Sequence, residues 1–67
     1  MHYVYLLLSS KKKWIYIGCT DDLKRRFLDH QKGKILSTKA YKPLCLTYYE
    51  AYLNKTDART REIELKK

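Results

Sequence analysis

Tyr3-Val4-Tyr5-Leu6-Leu7-Leu8 and Trp14-Ile15-Tyr16-Ile17-Gly18 are the two runs whose reading decides the fold. Both are rich in the β-branched and aromatic residues that suit a pleated, half-buried surface, and the polar stretch Ser9–Lys13 separates them as a hairpin loop would. Parity constrains the register. With Tyr5 opposite Tyr16, Leu7 faces Trp14, Leu6 faces Ile15 and Val4 faces Ile17, leaving a short turn near Ser10-Lys11. One face is then aliphatic, with Val4, Leu6, Leu8, Ile15 and Ile17, and the other carries Tyr3, Tyr5, Leu7, Trp14 and Tyr16 with Gly18 at its end. A slip of one residue would split the two tyrosines onto opposite faces. The aromatic face is where chemistry is expected.

Downstream of the second run, Thr20, Asp21 and Asp22 read as N-cap and first-turn residues and Gly33 as a C-terminal stop, which predicts a helix over about residues 22–32. At 100° per residue Leu23, Phe27 and His30 share a narrow arc with Arg26 at its edge, and Arg26 and His30 are one turn apart. Lys24 and Arg25 point elsewhere. Lys34–Lys42, without clear periodicity, reads as a basic loop. Pro43 opens a third strand, Leu44–Glu50 or slightly longer, because Leu44, Leu46 and Tyr48 alternate with Cys45, Thr47 and Tyr49. Asn54 or Thr56 can cap a last helix from about Asp57 to the end, on which Ala58, Glu62 and Leu65 form an i, i+4, i+7 stripe facing the sheet. The expected fold is α+β, a small three-stranded antiparallel sheet in ββαβα order flanked by helices. An inward Glu62 needs a partner, a cation or a metal.

With 67 residues the chain has room for one domain, residues 1–67, and its 45% hydrophobic content argues for a folded unit. Fifteen Lys and Arg against seven Asp and Glu give a formal charge of +8, and so basic a surface favours a polyanionic partner through counterion release. Cys19 and Cys45 are too far apart for a local metal pair, so structural zinc is not expected and both thiols should be free in a reducing cytoplasm. No stretch reads as a signal peptide or reaches the roughly 20 apolar residues of a membrane span, and no membrane partner is expected.

Taken together, Tyr3-Val4-Tyr5, Tyr16-Ile17-Gly18, Arg26 and His30 on the basic helix, and Glu62 near the C-terminus resemble the catalytic core of the GIY-YIG endonuclease superfamily. The resemblance runs from Tyr3 to about Lys66 and looks nearest to small stand-alone members related to the nuclease module of the excision-repair excinuclease. Tyr3 stands where the first half-motif is named for a glycine, and Cys19 follows Gly18 where the excision-repair relatives usually carry a basic residue. The chain ends five residues after Glu62, short of the further helix or asparagine-bearing segment of many larger members, which bears on helix-end stability and substrate grip.

Phosphodiester hydrolysis needs a positioned water, a base, neutralisation of charge on the phosphorus oxygens and stabilisation of the leaving oxygen. The resemblance implies Glu62 as the ligand of one Mg²⁺ (or Mn²⁺), with pairing to Arg61, Lys66 or a tyrosine hydroxyl as the alternative. Arg26 suits the scissile phosphate, because a guanidinium offers a fixed fork that lysine lacks. Tyr5 and Tyr16 would orient or deprotonate the water, with Arg26, His30 and the metal as sources of the positive charge a phenol needs to ionise, and His30 is a competing base. Gly18 is expected to permit a close backbone approach at the strand-to-helix turn. Lys11, Lys12, Lys13, Lys24, Arg25 and Lys39, with Lys32, Lys34 and Lys42, are candidate phosphate contacts, and Trp14 a stacking surface. The expected activity is that of a DNA endonuclease in repair or processing. The alternatives are a non-catalytic nucleic-acid-binding module and a domain that takes its specificity from a protein partner, with RNA as well as DNA open as the polyanion.

Overall fold

Ser9 decides where the first hairpin turns. Its hydroxyl accepts the N–H groups of Lys11 and Lys12 at 3.2 Å each while its own N–H donates to Trp14 O at 3.1 Å, closing a loop over Ser10–Lys13. In the computed structural model, which describes Met1–Lys67, strand β1 (His2–Ser9) therefore pairs with β2 (Ile15–Thr20) so that Tyr5 faces Gly18 and Leu7 faces Tyr16. The expected pairing of Tyr5 with Tyr16 is wrong by two residues. A two-residue shift preserves side-chain parity, so both phenols still lie on one face.

Helix α1 (Leu23–Gln31) follows, and the Asp22 side chain accepts the Arg25 N–H at its start. Gly33, at φ +76, ends this segment with its N–H on His30 O, a backbone shape that suits glycine. The stretch read as a basic loop contains a single helical turn, α2 (Leu36–Lys39), too short to show any periodicity. Strand β3 (Leu44–Tyr52) takes the slightly longer form of the expected span, and helix α3 (Lys55–Lys66) begins two residues earlier than expected, after Asn54.

The sheet is antiparallel with β1 in the middle, in the order β2-β1-β3. Central placement explains why β1 carries an apolar run rather than a strict alternation: both of its faces are covered, and Val4, Tyr5 and Leu7 are all buried. On one side Tyr5, Leu7 and Leu44 form the core, with Leu23 and Phe27 of α1 and Trp14, Tyr16, Tyr41 and Leu46 packed against it. On the other, α3 lies against all three strands and buries Ala58. Arg61 of α3 reaches Glu50, the residue paired with Val4, which identifies the Val4 face as the one α3 covers.

The simple alternation expected for the third strand fails at one point. Leu6 pairs with Tyr48 but Leu7 with Leu46, so Thr47 is a bulge, and its hydroxyl donates back to Leu6 O at 3.3 Å. The bulge sets Leu44, Leu46 and Tyr49 on the side of Tyr5, and Tyr48 with Glu50 on the other. There the Tyr48 and Tyr52 hydroxyls and the Arg61 guanidinium all converge on the Glu50 carboxylate. Arg61, with the two phenols, holds that carboxyl down to about 2.

Candidate active site

Because Tyr5 sits on the central strand directly opposite Gly18 of the edge strand, its ring can lie flat across the neighbouring backbone. A Cβ placed at Gly18 would stand 2.5 Å from both Tyr5 Cζ and its hydroxyl and 2.9 Å from Tyr16 Cε2. Gly18 thus permits the close approach expected of it, but inside β2, where it makes room for a phenol, rather than at the strand-to-helix turn. The Tyr5 and Tyr16 rings lie 6.2 Å apart, and the His30 ring meets each edge-on, at 5.7 Å and 5.2 Å.

His30 is the fully buried residue of α1, at 0% exposure, facing Tyr5 at 1%. The Tyr5 hydroxyl and His30 Nε2 are hydrogen-bonded at 2.9 Å, and His30 Nδ1 is bonded to Thr38 Oγ1 at 2.7 Å. Burial pushes the Tyr5 phenol up to about 12, with Arg26 pulling the other way and Tyr16 and Glu62 reinforcing the rise. Burial and then the Arg26 charge hold His30 below the ordinary histidine value, against Asp29. The shift disfavours the charged form of His30, whereas Arg26 carries its charge beside Tyr5.

These shifts make stability fall at both ends of the pH scale. Below about pH 6.5 an unfolded histidine takes up a proton that the folded site excludes, so the folded state loses ground as the pH drops. At the alkaline end an unfolded tyrosine ionises from 10.0 upward while folded Tyr5 keeps its proton to about 12. Stability is lost as the pH rises through that window, by about 1.4 kcal/mol per unit. Denaturant unfolding of wild type and Tyr5→Phe checks this: the wild-type advantage should shrink across that window and stay level around neutrality.

Arg26, one turn before His30, lines a polar cleft with His2, Cys19, Thr20, Asp21, Lys55 and Arg59, where the start of α1 meets the start of α3 across the end of β2. Its Nε is shielded from solvent and has no hydrogen-bond partner. A buried unpaired guanidinium donor is costly, and the same side chain presents its charge on the wall of a cleft it shares with Lys55 and Arg59. Glu62 is inward as its helical phase predicted, at 9% exposure, and touches none of Tyr5, Tyr16, Arg26 or His30 through a hydrogen bond or ion pair. Its carboxylate meets Lys66 Nζ at 2.9 Å and Arg59 Nη1 at 3.9 Å, whereas Arg61 is taken by Glu50. Arg59 thus joins Glu62 to the Arg26 cleft.

Could these residues hold a divalent cation? No three His, Cys, Asp or Glu side chains converge anywhere in the protein. A cation would rest on Glu62 alone and keep most of its waters, the regime of Mg²⁺, with Lys66 and Arg59 giving way. The donor set fits a hard, largely hydrated ion and excludes a closed structural site.

The other candidate contacts are distributed rather than focused. Lys11, Lys12 and Lys13 are exposed on the hairpin loop, which Ser10 ties to Pro43 O at 3.1 Å, and Lys39 is exposed at the end of α2. Lys24 and Arg25 are exposed on α1, Arg25 beside Arg26 in a second polar recess with Asp22 and Asp29. Trp14 is less available for stacking than expected, since Tyr41 covers one face of its indole at 3.7 Å and 6°, with Lys12 Nζ over the Tyr41 ring at 5.4 Å. Both cysteines are free. Lys55, Arg59 and Thr38 are site residues that sequence reasoning missed. Only Arg59 had a signal, its i, i+3 relation to Glu62.

This paired-tyrosine sheet with an arginine on α1 and an inward glutamate on α3 agrees with what comparison finds. The GIY-YIG catalytic domain model matches residues 1–67, and the chain belongs to the GIY-YIG family of endonuclease-type domains. Nucleases of this family act on nucleic acids and are generally divalent-metal dependent. The chain is 36% identical to a UPF0213 protein of Staphylococcus haemolyticus over 97% of its own length and 79% of that protein's. It is 37% identical to a UPF0213 protein of Clostridium perfringens over 100% of this chain and 72% of the relative. A UPF0213 protein of Streptococcus pyogenes is 38% identical over 97% of this chain and 71% of its own length. No solved structure matches at a significant level. No helix is long and apolar enough to cross a membrane.

Proposed function

We propose that this protein is a Mg²⁺-dependent DNA endonuclease of repair or processing, acting in the cytoplasm as a single domain. The observation that carries the reading is Arg26, a guanidinium with a buried unpaired Nε in a cleft shared with Lys55 and Arg59, beside Tyr5. A phosphate diester bound there meets the Arg26 guanidinium with Lys55 and Arg59 nearby, and the negative charge that grows on the phosphorus oxygens strengthens that attraction. Tyr5 and Tyr16 orient the attacking water. His30 holds Tyr5 by its hydroxyl. Glu62 is the residue that would hold Mg²⁺, or Mn²⁺ in its place; the bound ion supplies Lewis-acid stabilisation of a phosphate or leaving oxygen. Lys11, Lys12, Lys13, Lys24, Arg25 and Lys39 are proposed as salt-sensitive backbone contacts, each adding affinity without sequence preference.

The test is cleavage of supercoiled, single-stranded and branched DNA in Mg²⁺ by wild type and by Glu62→Ala. We expect the variant to lose on the order of 10²-fold or more in rate, as when one charge-stabilising group is removed from a hydrolytic site. Equal activity in the two proteins would mark a contaminating nuclease. Tight, salt-sensitive binding by a wild type that cuts under no metal would assign the scaffold to binding alone.

A further inference from the structure

The first hairpin loop and the segment before β3 are fastened to each other. Ser9 Oγ donates to Tyr41 O at 2.6 Å, and Ser10 donates to Pro43 O through both its N–H and its hydroxyl, at 3.1 Å each. The Tyr41 N–H is in turn held by Thr38 O at 3.0 Å. With its backbone fixed on both sides, Tyr41 lays its ring parallel to the Trp14 indole, 3.7 Å between centroids and 6° between planes. Trp14 also stacks on Tyr16, at 6.0 Å and 30°, so an aromatic ladder leads from Tyr16 and the neighbouring Tyr5 and His30 rings out to Tyr41 at the hairpin end of the sheet. The indole fills one face of the Tyr41 ring. The Lys12 ammonium, over the ring at 5.4 Å from its centroid, takes the other face, because at that distance on the first it would run into the indole. Lys12 is exposed, and a cation on a ring at such a site is held less strongly than a stacked nucleobase. Its flexible stem lets the ammonium move from the ring to a phosphate. Lys11 and Lys13 are exposed on the same loop, and neither Ser9–Trp14 nor Lys39–Pro43 contains an acidic residue to oppose an anion.

We propose that the outer face of Tyr41, backed by Trp14, is a stacking subsite for an unpaired nucleobase of the bound strand, with Lys11, Lys12 and Lys13 taking the adjoining phosphates. The base displaces the Lys12 ammonium from the ring, and the displaced charge meets the phosphate that arrives with the base. Trp14 is then the support of the platform rather than the platform itself. Every base has a face to offer, so the subsite is indifferent to sequence; within a duplex those faces are covered by neighbouring base pairs, and fully paired DNA gains nothing from Tyr41. The consequence for cleavage, a substrate with an unpaired stretch beside the cut, rests on the proposed nuclease reading; capture of the base does not.

Binding of a dT oligomer, an abasic oligomer of the same length and a fully paired duplex, measured by fluorescence anisotropy in EDTA at one salt concentration, tests this without any cleavage. Wild type should bind the dT oligomer about tenfold more tightly than the abasic one, the scale of one stacked base. Tyr41→Leu should remove that preference and leave the affinity for the abasic oligomer and the duplex unchanged, whereas Tyr41→Phe, which keeps the ring, should retain it. In NMR spectra of the wild type the Tyr41 ring protons should move upfield as the dT oligomer is added and stay in place with the abasic one, a readout that needs no variant to fold. Equal affinity of the wild type for the two oligomers, Tyr41 signals that the dT oligomer does not move, or a folded Tyr41→Leu protein that keeps the preference would each overturn the proposal. A protein that cuts DNA without this preference loses the subsite and keeps the nuclease reading; one that shows the preference and cuts nothing does the reverse.

Discussion

Gly18→Ala should destabilise the protein by about 3 kcal/mol, the upper end of the usual cost of overpacking, and abolish cleavage. The added methyl would stand 2.5 Å from the Tyr5 ring and hydroxyl and 2.9 Å from Tyr16, far inside van der Waals contact. The buried Tyr5 ring has little room to yield. Tyr5 is fixed on its far side by His30 at 2.9 Å, and His30 in turn by Thr38 at 2.7 Å, so displacement of the phenol breaks a buried chain of hydrogen bonds. A shift of about 1 Å at a reacting group is enough to cost on the order of 10²-fold in rate. Thermal melting and single-turnover cleavage measure the two effects. A variant that melts and cuts like wild type would mean that the Tyr5 ring does not lie over Gly18.

Arg26→Lys should separate activity from stability. Lysine keeps the charge but replaces a rigid planar fork with a point charge, and it has no equivalent of Nε. If Arg26 grips the transferring phosphate, cleavage falls by about 10²- to 10³-fold, and by at least as much for Arg26→Ala. Stability should hold or rise, because the Nε that is lost is a buried donor without a partner in the free protein. That combination is the mark of a group kept for function at a cost in folding. If Arg26→Lys instead unfolds the protein, Arg26 is a structural residue and the phosphate reading fails.

How far could the sequence be read? Hydrophobic alternation reports which face a side chain takes, and it put Tyr5 and Tyr16 together correctly. It does not report the partner across the ladder, since a shift of two leaves every face unchanged. The register was decided by Ser9, whose hydroxyl collects two loop N–H groups and lengthens the turn. Helix α2 is four residues long, less than any period can reveal, and Thr38 was hidden with it. The Thr47 bulge defeats a strict two-residue count in the same way.

Glu62 was legible because Ala58, Glu62 and Leu65 recur at helical spacing over a long element. The cleft around Arg26 was not, because His2, Thr20, Arg26, Lys55 and Arg59 come from separate elements and meet only through the antiparallel sheet and the two helices it carries. Local pattern thus identifies what each element turns inward, while the charge that gathers between elements depends on the assembled fold.

The central claim is that Glu62, Arg26 and the two phenols serve a single cleavage centre. A crystal soaked with Mn²⁺ tests it most directly. Anomalous density beside the Glu62 carboxylate, where Arg59 joins it to the Arg26 cleft at the end of β2, and with Lys66 moved off, is the predicted result. Lys66 and Arg59 still paired to Glu62, with no ion there at saturating Mn²⁺, would contradict it.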